Sequence, residues 1–184
     1  MVQPSSYIIR RATLADAPAL ADVAAKTFHD TFAEFNSKED MDAYMATAFS
    51  VNQLAAELAD PDATFFVADT GETLAGYAKV SAGEAPPCVT GPKPFELVRL
   101  YVRQEWFGKG VAQALMQTYV DEAKAGGYQT LWLGVWEENH RAKAFYRKWG
   151  FEDVGEKVFM LGEDVQTDRV WMRQLGGMKS VPPA

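Results

Sequence analysis

Gly108 and Gly110, within the run VRLYVRQEWFGKGVA from Val98 to Ala112, most narrow the chemistry open to this 184-residue chain. A glycine has no Cβ, so the backbone can turn sharply and a ligand can lie against it. Downstream, Val111 to Ala125 carry apolar residues at helical spacing. The first turn of such a helix presents unpaired N–H groups and the positive end of its dipole, so a phosphate or similar anion is the expected guest. The same Gly-x-Gly also suits a plain turn before a helix, and the loop alone leaves both readings open. It is not a Walker A loop, because Lys109 is followed by Gly110 rather than Ser or Thr. It is not a dinucleotide fingerprint either, because Gln113 stands where a third glycine would be.

The elements that must position this loop can be read on either side of it. Val98, Leu100 and Val102 alternate with Arg99, Tyr101 and Arg103, the period of a strand with one buried face. Earlier in the chain, Tyr7 to Arg10 reads as a short strand. Thr13 or Asp16 then caps a helix with Leu20, Val23, Ala24 and Phe28 on one face, ending near Phe32. Ser37 opens a second helical segment through Met41, Tyr44, Met45 and Phe49, and Val51 to Ala59 form a third, stopped by Asp60-Pro61. Thr64 to Asp69 and Leu74 to Ser81 are strands joined by a hairpin turn at Thr70-Gly71. Ala82 to Pro94, with four prolines and two glycines, reads as a loop at a mobile edge of the active site. Thr130 to Val135 is a further strand, and Phe151 to Met160 with Thr167 to Gln174 form a last hairpin around Leu161 to Asp164. The pattern predicts a single mixed α/β domain over residues 1–175 and a disordered tail over 176–184, where periodicity ends.

Composition excludes several classes. A formal net charge of −7 argues against a nucleic-acid footprint and suits a cationic substrate, although an acidic surface also serves solubility alone. Cys88 is the only cysteine and His29 and His140 the only histidines, so an internal disulfide is impossible and no metal-ligand spacing appears. No early apolar run follows a basic start, which together with the lone cysteine points to the cytoplasm rather than to a secreted or membrane protein. Asp30 and Glu34, an i,i+4 carboxylate pair near the end of the first helix, are candidates to anchor a cationic substrate or to act as a base; a solvated helix face accounts for them too.

Asn139, Ala142, Phe145, Tyr146, Gly150 and Phe151, in NHRAKAFYRKWGF, resemble the Asn-x-x-Ala-x-x-Phe-Tyr-x-x-x-Gly-Phe signature of the GNAT acyltransferases. The glycine loop upstream of them resembles that family's phosphate loop, and the order of elements resembles its fold over nearly the whole chain. The resemblance implies a mixed sheet of six to seven strands, splayed open between its middle strands, and acetyl-CoA as cosubstrate. It implies that Leu100, Tyr101 and Val102 align the cofactor arm by backbone groups. Phe107, Gly108, Lys109, Gly110, Val111 and Ala112 would then wrap the pyrophosphate, while Asn139 anchors the arm or holds its loop. Tyr146 would hydrogen-bond the departing sulfur, and Glu96 would serve as general base. The family usually has Arg or Gln where this chain has Phe107, which leaves Lys109 or Arg103 to compensate. The segments FMLGEDVQTD (Phe159 to Asp168) and LWLGVWE (Leu131 to Glu137) further resemble the PaiA-like spermidine/spermine acetyltransferase branch, implying a polyamine acceptor. A protein Nα- or lysine acetyltransferase and a non-catalytic acetyl-CoA-binding regulator are the alternatives, and a homodimer is compatible with the sequence without being indicated by it.

Overall fold

The computed structural model describes residues 6–176. Their seven strands are β1 (Ile8–Arg11), β2 (Ala63–Asp69), β3 (Leu74–Ser81), β4 (Pro94–Val102), β5 (Thr130–Trp136), β6 (Glu152–Leu161) and β7 (Asp164–Gln174). They form one sheet in the order β1-β2-β3-β4-β5-β7-β6. Five helices cover it: α1 (Ala17–Phe32), α2 (Lys38–Ala48), α3 (Val51–Ala59), α4 (Val111–Ala125) and α5 (His140–Lys148). The tail predicted to be disordered lies, beyond Gly176, outside the described residues.

β2 is buried on both faces, which explains why it reads as a continuous apolar run rather than an alternation. Its Phe66 and Ala68 pack with α4, while Phe65 and Val67 pack with α1 and α3. Caps set the helix starts. Ser37 Oγ accepts from Asp40 N at 3.1 Å and Ser50 Oγ accepts from Gln53 N at 3.1 Å. Thr13 and Asp16 open a short 3₁₀ turn, Leu14–Asp16, that runs directly into α1.

Two features of β4 shape the centre of the molecule. It pairs in parallel with β5 only from Pro94–Leu97 against Thr130–Leu133, so the two strands part beyond Leu97 and Leu133. On its other side the register with β3 slips by one residue, Lys79 opposing Arg99 but Val80 opposing Leu97, leaving Val98 as a bulge. The bulge shifts the side-chain alternation, so Phe95 and Leu97 face the α4 core together with Leu100 and Val102, and Glu96 shares the opposite face with Arg99 and Tyr101. The sequence alternation beginning at Val98 therefore starts at the irregular residue, and the strand itself begins four residues earlier, at Pro94.

The proline-rich loop does not border the functional cavities described below. Cys88 instead packs against β6, where a Cβ on Gly155 would lie 2.8 Å from its Sγ, and Thr90 O accepts from Gln174 Nε2 at 2.9 Å. The last hairpin is longer than its sequence suggests. β7 begins at Asp164, leaving only Gly162 and Glu163 as the turn, because Met160 still opposes Val165 across the ladder.

Candidate active site

Where β4 leaves β5, two cavities open and share a wall. The first, of about 300 Å³, is lined by Leu100, Tyr101 and Val102 of β4, by Phe107, Gly108, Gly110, Val111 and Ala112 of the glycine loop, and by residues of α1 and α5. Gly108 (φ +74°) and Gly110 (φ +83°) hold the left-handed backbone that glycine adopts without strain. Gly110 stands directly before α4, and Ala114 is the first residue of the helix whose N–H reaches a carbonyl, that of Gly110 at 3.0 Å. The N–H groups of Val111, Ala112 and Gln113 therefore lack helical acceptors and are available to an anion. Apolar walls ending on such a loop fit a cofactor with a long neutral arm and a pyrophosphate.

The second cavity, of about 220 Å³, lies on the α1–α2 side. Its far wall is aromatic: Phe28, Phe32, Tyr44, Phe49, Trp136 and Phe159. Phe28 stacks on Tyr44 at 4.8 Å between centroids, and Tyr44 meets Phe159 edge-on at 5.6 Å. Its floor carries charge. Lys157, Asp168 and Trp136 oppose one another across three strands. Gly134 leaves the space that Lys157 fills, since a Cβ there would lie 2.5 Å from Lys157 Cε and 3.3 Å from Asp168 Oδ2. Lys157 Nζ sits 3.6 Å from Glu96 Oε1. Burial pushes the carboxyl groups of both Glu96 and Asp168 above their usual range, with Lys157 opposing the rise. Arg99, also on this wall, is held by Glu57 at 2.8 Å, and Glu57 is shared with Lys79 at 2.8 Å. Burial alone would raise the Glu57 carboxyl, but Arg99 and Lys79 keep it below the usual range.

Leu100, Tyr101, Asn139, Ala142 and Tyr146 line both cavities. Tyr146, on α5, is 8% exposed, and burial raises its phenol well above the ordinary value. Among the described residues its hydroxyl has no hydrogen-bond partner, so this polar group on the shared wall is free to serve whatever meets there. Asn139 holds this wall in place: its side chain caps α5, accepting from Ala142 N at 3.1 Å.

The sequence profile of the Acetyltransferase (GNAT) family matches residues 25–151, which takes in both cavities' shared wall and the glycine loop. The chain belongs to the GNAT acetyltransferase family. It is 33% identical over 153 residues to an uncharacterized N-acetyltransferase of Lactobacillus delbrueckii subsp. lactis, covering 83% of this chain and 88% of that protein. Its fold is shared with the PaiA N-acetyltransferase of Thermoplasma acidophilum, solved in complex with coenzyme A, at a TM-score of 0.74 and 22% identity over 92% of this chain and 99% of the other. A putative acetyltransferase of Salmonella typhimurium, solved with acetyl-CoA, superposes with a TM-score of 0.63 and 21% identity over 94% and 96% of the two chains. This GNAT protein is an N-acetyltransferase with acetyl-CoA as its cosubstrate.

The structure brings most of the sequence candidates to the two cavities and moves others away. Asp30 lines the first cavity, not the second, and its carboxylate is engaged by Lys26 at 2.5 Å. Glu34 is exposed and lines neither. Lys109 does not line the first cavity; its ammonium lies 5.0 Å over the ring of Trp106, which does. Arg103 is occupied as well, donating to Leu74 O at 2.8 Å and to Asp22 at 2.6 Å. Asp168 and Lys157 were not among the candidates, although the Gln-x-Asp of the last hairpin contained the first of them. Their meeting depends on strand register that local pattern does not set.

Proposed function

We propose that this GNAT enzyme acetylates a primary amine of a small molecule, with residues 1–175 acting as one acetyltransferase domain. The observation that carries the reading is Tyr146, whose unpartnered hydroxyl lies on the wall shared by the cofactor-shaped and the charged, aromatic cavity. The glycine loop from Phe107 to Ala112 holds the pyrophosphate by backbone N–H groups. Beyond the Val98 bulge, the parted edge of β4 at Leu100, Tyr101 and Val102 offers backbone groups to the cofactor arm, because β5 no longer occupies them. Acetyl-CoA supplies the activated acyl group.

The acceptor enters from the second cavity. An alkylamine resembles lysine, with a pKa near ~10.4, so only about one molecule in a few thousand is neutral at pH 7. Glu96 takes the proton, and its raised pKa makes it a stronger base than an ordinary glutamate. Nitrogen then forms its bond to the acetyl carbon as the carbon–sulfur bond breaks, Tyr146 donates a hydrogen bond to the departing thiolate, and the second proton of the acylated nitrogen passes to that sulfur, leaving the amide and coenzyme A as its thiol. Full proton transfer from an ordinary phenol (~10) to an ordinary thiolate (~8.5) is uphill by about 2 kcal/mol. Burial of Tyr146 makes it more so, and Tyr146 therefore acts by donation rather than by surrendering its proton.

For the acceptor, the polyamine reading gains support from Glu96 and Asp168, two carboxylates on one floor, and from aromatic walls that suit methylene chains and ammonium groups alike. Cys88 is a free cysteine, in keeping with a reducing cytoplasm. The test is thiol release from acetyl-CoA across monoamines, polyamines, amino acids and a peptide amine at low and high salt. Spermidine or spermine should exceed a simple monoamine in kcat/KM by at least about tenfold at low ionic strength, the gap narrowing as salt screens the carboxylates. If an amino acid or a peptide N-terminus is the best acceptor, the polyamine reading falls while the acetyltransferase stands. If no amine releases thiol, the acceptor assignment falls altogether.

A further inference from the structure

Phe107 occupies the place where a cationic or amide side chain usually faces the phosphates in this family; of the two cations nearest in sequence, Arg103 is engaged by Asp22 and Leu74 O, and Lys109 does not line the cavity, its ammonium lying 5.0 Å over the Trp106 ring. The cavity nevertheless has one cationic side chain on its wall among the described residues. Arg141, in the first turn of α5, lies with its guanidinium carbon 3.6 Å from the centroid of the Phe107 ring, and both side chains line the cofactor cavity. The other charged residue there is Asp30, already engaged by Lys26. Among the described residues Arg141 forms no ion pair, and its side chain is exposed. An unpaired guanidinium seated 3.6 Å over the centre of an aromatic ring keeps N–H groups at its edge for an anion, and arginine binds phosphate oxygens in pairs through such groups.

We propose that Arg141, stacked on Phe107, is the side-chain phosphate clasp of the acetyl-CoA site, supplied from α5 because the glycine loop itself carries no such side chain. Phe107 is then the platform that orients the clasp rather than a gap in the phosphate loop. Because Phe107 and Arg141 lie 34 residues apart in sequence, the pair joins the phosphate loop to the helix that bears Tyr146. Cofactor binding should consequently draw α5 against the loop.

Calorimetric titration with coenzyme A, dephospho-coenzyme A and pantetheine tests this without any turnover. Arg141→Ala should weaken coenzyme A binding at least tenfold at low salt and leave pantetheine, which has no phosphate, unchanged. Persistence of the loss with dephospho-coenzyme A assigns the clasp to the pyrophosphate; its disappearance assigns it to the 3′-phosphate. Arg141→Gln, close to arginine in length but neutral, should behave like alanine. Phe107→Leu should weaken coenzyme A binding about threefold, with Phe107→Tyr restoring it. Coenzyme A affinity within twofold of wild type in folded Arg141→Ala and Arg141→Gln would overturn the proposal, as would an equal loss for pantetheine.

Discussion

The two cavities that meet at Tyr146 hold their ligands by different means. The cofactor side is a backbone device: a left-handed glycine pair, the open N-terminus of α4 and the parted edge of β4. Its side chains are mostly apolar, and few of them are committed to one another. The acceptor side is a side-chain device, with six rings and a set of buried charges from α3, β3, β4, β6 and β7 that hold one another in place. A backbone device tolerates many substitutions and changes slowly. A side-chain device can be retuned by one residue, and any such change is felt in stability as well as specificity.

That contrast can be broken first at Glu57, which is 11% exposed in its side chain and neutralises both Arg99 and Lys79. Glu57→Gln leaves two buried cations without their carboxylate and should cost about 3 kcal/mol in denaturant unfolding, the scale of a broken buried ion pair. The pH response has a definite sign. The Glu57 carboxyl is held below its ordinary range, so its contribution is full above that range and is lost as pH falls from it through the lowered folded-state value. The wild type should therefore lose stability on acidification faster than Glu57→Gln. Coenzyme A affinity, measured where the variant remains folded, should stay within about twofold.

Glu96→Gln separates chemistry from binding on the acceptor side. It should lower kcat/KM at pH 7 by roughly 10²-fold, the lower end of a general-base contribution, with acetyl-CoA affinity unchanged. Burial raises the Glu96 pKa and the base is its deprotonated form, so wild-type kcat/KM should rise with pH through a value above the ordinary glutamate range. The glutamine variant should lack that limb and keep only the one due to the amine. A limb of wild-type shape in Glu96→Gln would transfer the role to Asp168 or to solvent.

The cofactor side is sharpened by the reverse experiment. Gly110 has φ +83°, so Gly110→Val sets a branched side chain in the left-handed region, at about 1–2 kcal/mol of strain, with its Cβ 3.4 Å from Tyr7 Oη, and so distorts the loop that lines the cofactor cavity. Acetyl-CoA should bind at least tenfold more weakly, about 1.4 kcal/mol, while thermal melting shows a folded protein. Unchanged affinity in the folded variant would remove the loop from the site.

The same contrast explains what could be read from sequence. The glycine loop, Asn139, Tyr146 and the strands around them occupy two short contiguous runs, so their types and spacing carried the reading of the cofactor side. The Val98 bulge was hidden because a single extra residue keeps the local alternation plausible while turning Glu96 and Arg99 onto one face. Lys157 and Asp168 meet through the register of β6 on β7, and Arg141 meets Phe107 through the packing of α5 on the loop. Asp30 and Glu34, adjacent on one helical pattern, end in different surroundings because α1 gives way to a 3₁₀ turn at Ala33. Contacts of that kind depend on the assembled sheet and leave no local mark.

The central claim is that Tyr146 serves the reaction at the junction of the two cavities and not the binding of either ligand. Tyr146→Phe removes one oxygen atom that has no partner among the described residues, so the fold has nothing to lose by it. The most direct measurement pairs calorimetric acetyl-CoA affinity with the rate of thiol release in the presence of a saturating amine. The expected result is an affinity within about twofold of wild type and a kcat lowered by roughly 10²-fold or more. Wild-type turnover, or a loss of cofactor affinity large enough to account for the lost rate, would contradict it.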